Sequence, residues 1–310
     1  MHWKTKAKIQ NLISLLPSAL SYEVYYQVQR RMGRLQNFGP VIRLNAGITT
    51  WKKLIEHGYQ PDDKRFFEVG TGRVLNVPLA FWLMGAESVT TIDLNPYLKG
   101  DLVREDLQYI SDNRKEIETL FGGLLRKDRF EELISFQKRT PFILKDFLQL
   151  CNFTYIAPGD AAKTGIETGS IDFHTSFTVF EHIPAPILSN ILKEGIRITN
   201  KSGAFVHCVD YSDHFSHTDH SISPINFLQY SDKEWDAYAG NRYMYMNRLR
   251  HDEMVEIFTS AGLTILSAVP NLHEESLNLI KSGKISIDPK FRSKSDEILA
   301  TVDSWFIAKS

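Results

Sequence analysis

From residue 65 onward, hydrophobic positions switch between the short runs of buried strands and the wider spacing of helices. Phe66-Phe67-Glu68-Val69 is apolar and β-favouring and ends at once in Gly70-Thr71-Gly72, which predicts a buried strand breaking into a tight turn. Asn76 and Pro78 suit the start of a helix that stays apolar over 79–84 until Gly85 stops it. Ser88-Val89-Thr90-Thr91-Ile92 predicts a second strand with Asp93 at its end, completing a β-α-β unit. Further strands are expected at 153–156, from 170 into the loop ending at Pro184, at 204–209, 263–269 and 300–308. Helices are expected at 185–200 and 251–261 and around 273–282, with a turn at 200–203.

The flanking regions carry helical spacing. Ile9, Leu12, Ile13 and Leu16 fall on one face until Pro17, and Ser21 can cap a following helix that bears Tyr22, Tyr25 and Tyr26. Val103, Leu107 and Ile110, then Ile117, Leu120, Phe121 and Leu124, predict an inserted helical hairpin broken at Gly122-Gly123. The expected organisation is therefore a helical cap over 1–60 and an α/β domain over 61–310. That domain would carry a helical insertion at about 100–150 and a lid at about 210–250.

Composition narrows the class. A chain of 310 residues with 43% hydrophobic content can bury a large core, and its net charge of −1 gives no general drive toward nucleic acid. Cys151 and Cys208 are the only cysteines, which suggests neither a disulfide framework nor a zinc motif and points to a reducing, cytoplasmic setting. No run of about 18 apolar residues suggests a membrane span, and the N-terminus lacks the apolar core of a signal peptide. Lys4, Lys6, Lys8, Arg30, Arg31 and Arg34 make the first region locally basic, so peripheral contact with an anionic surface is a second reading beside the cap.

The chemistry gathers at predicted strand ends. A glycine turn lets backbone approach a ligand, and an acidic residue about 20 positions on can accept from both hydroxyls of a ribose, so an adenosine-containing cofactor is expected. A dinucleotide fingerprint would need glycine at position 75, where Leu75 stands, which argues against NAD. Glu68-x-Gly70-x-Gly72 with Asp93 resembles the first two cofactor motifs of class I S-adenosylmethionine-dependent methyltransferases, with Val74 where that family usually has a third glycine. Asp160-Ala161 and the segment from Ile171-Asp172 through Ser176-Phe177 to Glu181-His182-Ile183 resemble later motifs of the same family. The resemblance implies a seven-stranded, mostly parallel Rossmann-like sheet with helices on both faces and a final antiparallel hairpin. It also implies S-adenosylmethionine held by Glu68, Gly70, Thr71, Gly72, Asp93, Leu94, Asp160, Ala161, Ser176 and Phe177. Asp160 can equally cap a turn, and His182 is read as structural.

The run from Asp210 to His220 packs three histidines and three aspartates into the exit of the fifth strand. Three readings stand: a general base or substrate clamp, a metal site from His214, His217 and Asp219, or a polar loop. The first assigns His214, His217 and Asp219 as catalytic and no metal. Phe227, Tyr230, Trp235, Tyr238, Tyr243 and Tyr245 then interleave with Arg242, Arg248 and Arg250. Such residues can stack on a ring and grip an anion, which nominates Arg242, Tyr243 and Arg248 for the acceptor, or they can form an aromatic mini-core. The expected activity is methyl transfer to oxygen or nitrogen of a small or sugar-like acceptor. The alternatives are aminopropyl transfer and a non-enzymatic module for a polyanion.

Overall fold

The computed structural model describes residues 1–33, 35 and 39–310, so Arg34 lies outside the described residues. Seven strands form one sheet: β1 (Arg65–Val69), β2 (Ser88–Ile92), β3 (Phe153–Ile156), β4 (Ile171–Phe177), β5 (Thr199–Asp210), β6 (Thr264–Leu272) and β7 (Thr301–Lys309). Their order is β3-β2-β1-β4-β5-β7-β6. The first five run parallel, and β7 pairs antiparallel with both β5 and β6. This is the expected seven-stranded, mostly parallel sheet. The strand order reverses between β1 and β4, which opens a crevice at their carboxyl ends.

Successive residues of a strand face opposite sides, and β1 uses both. Phe66 packs with Trp51, Phe81 and Phe173 on one face, while Phe67 meets His174 on the other. Each buried phenylalanine is worth about 1.5–3 kcal/mol relative to exposure. A one-residue slip of β1 would exchange the two faces, so the register that carries Glu68 to the crevice is firmly set.

The first face is covered by α3 (Val41–Glu56), α4 (Asn76–Met84), α5 (Gly100–Asp112), α6 (Arg114–Phe121), α7 (Lys127–Gln137) and α8 (Leu144–Leu150). The stretch expected as a hairpin is thus four helices, and Leu107, Ile110, Ile117 and Phe121 belong to the main core. The second face is covered by α9 (Ala185–Ile198) and α11 (His251–Ser260). Residues 200–203, expected as a turn, instead lie within β5. The irregularity falls opposite Ile171 and Phe173, where a Cβ on Gly203 would come within 2.3 Å of the Asp172 carbonyl oxygen.

A third core lies under the lid, where α1 (Trp3–Ser14), α10 (Asp232–Ala239), α12 (Glu274–Lys281) and α13 (Asp296–Ala300) meet the 215–230 segment. Helix α1 buries Trp3, Ala7, Gln10 and Ile13, so of the face expected from Ile9, Leu12, Ile13 and Leu16 it keeps Ile13 inside, while Ile9, Leu12 and the neighbouring Leu15 stay exposed. Trp3 decides the rotation by packing against Phe215, Tyr230, Trp235 and Tyr238. In α2 (Ser18–Met32) Ser21 is interior, donating to the Ile13 carbonyl at 2.8 Å, and the N-cap is Pro17. Of the basic residues, Lys6 reaches the Thr218 hydroxyl and Arg30 pairs with Glu105. Among the described residues no helix is long and apolar enough to cross a membrane.

Candidate functional site

The crevice between β1 and β4 is a cavity of about 530 Å³. Its floor is the strand-end turn after β1. Gly70 and Gly72 take φ of 78° and 74°, a region that side chains disfavour. A Cβ on Gly70 would also meet Val179 at 2.8 Å. The Gly72 N–H donates to both Asp93 oxygens at 3.2 and 3.0 Å, fixing the carboxylate while leaving it further lone pairs. Burial raises Asp93 to about 6 against the opposing hydrogen bonds from Gly72 and Tyr155. Glu68, also buried, accepts from the Thr91 hydroxyl at 3.1 Å, and burial raises it to about 7.

Glu68, Gly70, Thr71, Gly72, Asp93, Leu94 and Phe177 therefore share one wall. Three other residues of the expected cofactor set lie off it. Asp160 is exposed and accepts from the Ala162 N–H at 2.8 Å, capping its own turn, and Ala161 packs into the core. Ser176 faces back toward His207, with its Oγ 2.7 Å from Nδ1. Arg43 of α3 and Arg73 also line the cavity, unforeseen because nothing in the sequence says which face of a preceding helix returns to the strand ends.

The opposite wall joins α2 to the chain after α10. The Tyr243 ring stacks on Tyr25 at 4.1 Å between centroids, and its hydroxyl shares a hydrogen bond with Ser21. Arg242 lies over Tyr22 and donates to the Ser14 carbonyl at 3.2 Å. Tyr22, Tyr25, Arg242, Tyr243 and Tyr245 all line the cavity. Arg248 does not. The backbone turns at its φ of 58° and carries the side chain beneath the lid, against Phe291, donating to the Phe227 and Tyr230 carbonyls and to Asp232. Arg250 is likewise buried, donating to the carbonyls of Tyr211 and Leu299. The substrate role expected of Arg248 gives way to a scaffold role.

At the β5 exit, His214 and His217 gather on Asp210, with Nε2 to Oδ2 distances of 3.2 and 3.7 Å. Burial opposes ionisation of Asp210, yet His214 and Ser212 hold it down to about 2. Asp219 is elsewhere: it accepts from the Trp3 N–H at 2.8 Å and from Ser221, anchoring α1, so its expected catalytic role is not supported by its position. The cluster continues instead into Glu181 and His182, which the sequence reading left aside. His182 lines the cavity, and its Nδ1 stands 2.8 Å from the Tyr245 carbonyl. Partial burial in the cleft wall, and then the neighbouring His214 ring, pull it below the usual imidazole value, although 38% of its side chain stays exposed. Glu181 is 2% exposed, and burial together with the Asp210 charge pushes its carboxyl well above the usual range.

No family model and no curated protein sequence matches the chain. Solved structures similar to it include a SAM-dependent methyltransferase from Methanosarcina mazei, at 15% identity over 83% of this chain and 96% of that one, TM-score 0.44. Another is the geranyl diphosphate C-methyltransferase of Streptomyces coelicolor in complex with Mg2+, geranyl diphosphate and S-adenosyl-L-homocysteine, at 10% identity over 84% and 78%, TM-score 0.47. A geranyl diphosphate methyltransferase in complex with SAM is 12% identical over 84% of each chain, TM-score 0.43.

Proposed function

We propose that this chain, which has the class I S-adenosylmethionine-dependent methyltransferase fold, catalyses methyl transfer to an oxygen or nitrogen of a small acceptor. The observation that carries the reading is that one cavity joins the strand-end group Glu68, Gly70, Gly72 and Asp93 to the lid group His182, Arg242, Tyr243 and Tyr245. The first group fits an adenosyl amino acid. Asp93 keeps lone pairs for ribose hydroxyls, the glycine backbone admits close approach, and Glu68 with Arg43 offers opposite charges for an ammonium and a carboxylate.

When bound, S-adenosylmethionine supplies a methyl carbon made electrophilic by its sulfonium. The protein's part is then positioning and proton handling. The tyrosines of α2 and the lid flank the acceptor's space and exclude water, Arg242 adds a positive charge at its rim, and the histidine–carboxylate cluster beside His182 handles the proton of an attacking hydroxyl or amine.

Calorimetry with S-adenosylhomocysteine tests the cofactor half. Binding to the wild type is expected, weakened in Asp93→Ala by about 1.5–3 kcal/mol, the range for hydrogen bonds to a charged group. No binding to the wild type, or tighter binding of NAD, overturns the reading.

A further inference from the structure

We propose that Glu181, His182 and His214 form a binding site for a first-row transition-metal dication in the wall of the cleft. The three offer one ligand atom each within 4.8 Å of one another. Bonds of about 2.0–2.2 Å place neighbouring ligand atoms roughly 3–4 Å apart, so small side-chain adjustments close the set around one ion. The second observation is independent of that proximity. Nine buried side-chain polar atoms lack a hydrogen-bond partner among the described residues, and three of them are both oxygens of Glu181 and Nε2 of His214. Leaving such atoms unpaired costs on the order of 1–3 kcal/mol each, more when charged, and native structures rarely gather them. They lie beside a further nitrogen: Glu181 Oε1 is 4.0 Å from His182 Nε2.

The tautomer of His182 agrees. The Tyr245 carbonyl can only accept, so Nδ1 carries the proton and Nε2 presents its lone pair, the arrangement usual for a metal-bound imidazole. Asp210 stands 3.2 Å from His214 Nε2 without an aligned hydrogen bond, poised to orient that ring or to join the coordination. Two imidazoles with one carboxylate suit Zn2+, Co2+ or Fe2+ over Mg2+. The site stands without the methyl-transfer reading, and only its use rests on it: because His182 borders the cavity, the ion would ligate an acceptor oxygen and ease loss of its proton.

The test is titration of the chelator-treated full chain with Co2+, followed by visible ligand-field absorption, without cofactor. One Co2+ per chain is expected, displaced by Zn2+ and not by Mg2+. Glu181→Gln and His214→Gln should each weaken binding about 10-fold or more, with His220→Gln, exposed and off the cluster, unchanged. If His214→Gln does not fold, Glu181→Gln and His182→Gln decide. Failure of Co2+ to bind, equal displacement by Mg2+, or unchanged affinity in both Glu181→Gln and His182→Gln overturns the site. S-adenosylhomocysteine binding is measured separately, so a chain that takes Co2+ but not that ligand keeps the metal site and loses the methyltransferase reading.

Discussion

The two walls of the cleft are built on different plans. Glu68, Gly70, Gly72 and Asp93 sit at the ends of adjacent parallel strands, so the ladder that makes the sheet also sets their spacing. The facing wall has no such ladder. Tyr25 and Tyr243 meet there because α2 and a loop more than 200 residues later stack ring on ring, and their place depends on Trp3 docking α1 into the lid core. One wall inherits its geometry from backbone hydrogen bonds and the other from side-chain packing. Perturbations should therefore separate them.

The largest effect is expected from Trp3→Ala, which removes the centre of the lid's aromatic cluster at about 3–5 kcal/mol. Hydrogen exchange should rise across residues 215–239 while β1 and β2 stay protected and S-adenosylhomocysteine affinity holds within a few-fold. Equal loss of protection in both walls would show that they fold as one unit.

Glu68→Gln probes the other wall through pH. The folded-state pKa of Glu68 is raised from 4.5 to about 7, so the unfolded chain releases this proton first and stability falls as pH rises through that window. Removing the charge should raise the stability of the ligand-free protein at pH 8 by up to about 3 kcal/mol, give no gain at pH 4, and weaken cofactor binding. Denaturant melts at the two pH values read this, and a gain of equal size at both would break the assignment.

The smallest effect belongs to Arg242→Ala. Its guanidinium makes one exposed hydrogen bond to a backbone carbonyl, so stability should change by about 1 kcal/mol or less and S-adenosylhomocysteine affinity not at all. A thermal melt beside one of Arg248→Ala, whose side chain is buried on three partners, sharpens the point: the second variant should melt much lower.

The same division governs what could be read in the sequence. Strands 88–92 and 153–156 were legible to the residue, because short β-favouring runs bounded by turn residues reflect local preference. The turn at Gly70 and Gly72 was legible for the same reason. Asp160 reads as a ligand contact from its order along the chain, but it is exposed, caps its own turn and lies off the residues that line the cavity. Arg248 and Arg242 look alike in sequence, and only the backbone turn at position 248 sends one under the lid and leaves the other in the cleft. The helical spacing of Ile9, Leu12, Ile13 and Leu16 marks a helix before Pro17, but of that face Ile13 alone is buried, because Trp3 sets the rotation through partners more than 200 positions away.

The bond between the Trp3 N–H and Asp219, 216 positions apart, gives the wall a timetable. During synthesis at about 5–20 residues per second, Trp3 emerges first and then waits roughly 10–40 s for Phe215 and Trp235 to follow. For that interval α1 is an amphipathic segment whose indole has no core to hold it. The sheet wall can assemble while the ribosome is still reading. The facing wall closes only when a segment made earlier returns to meet one made much later.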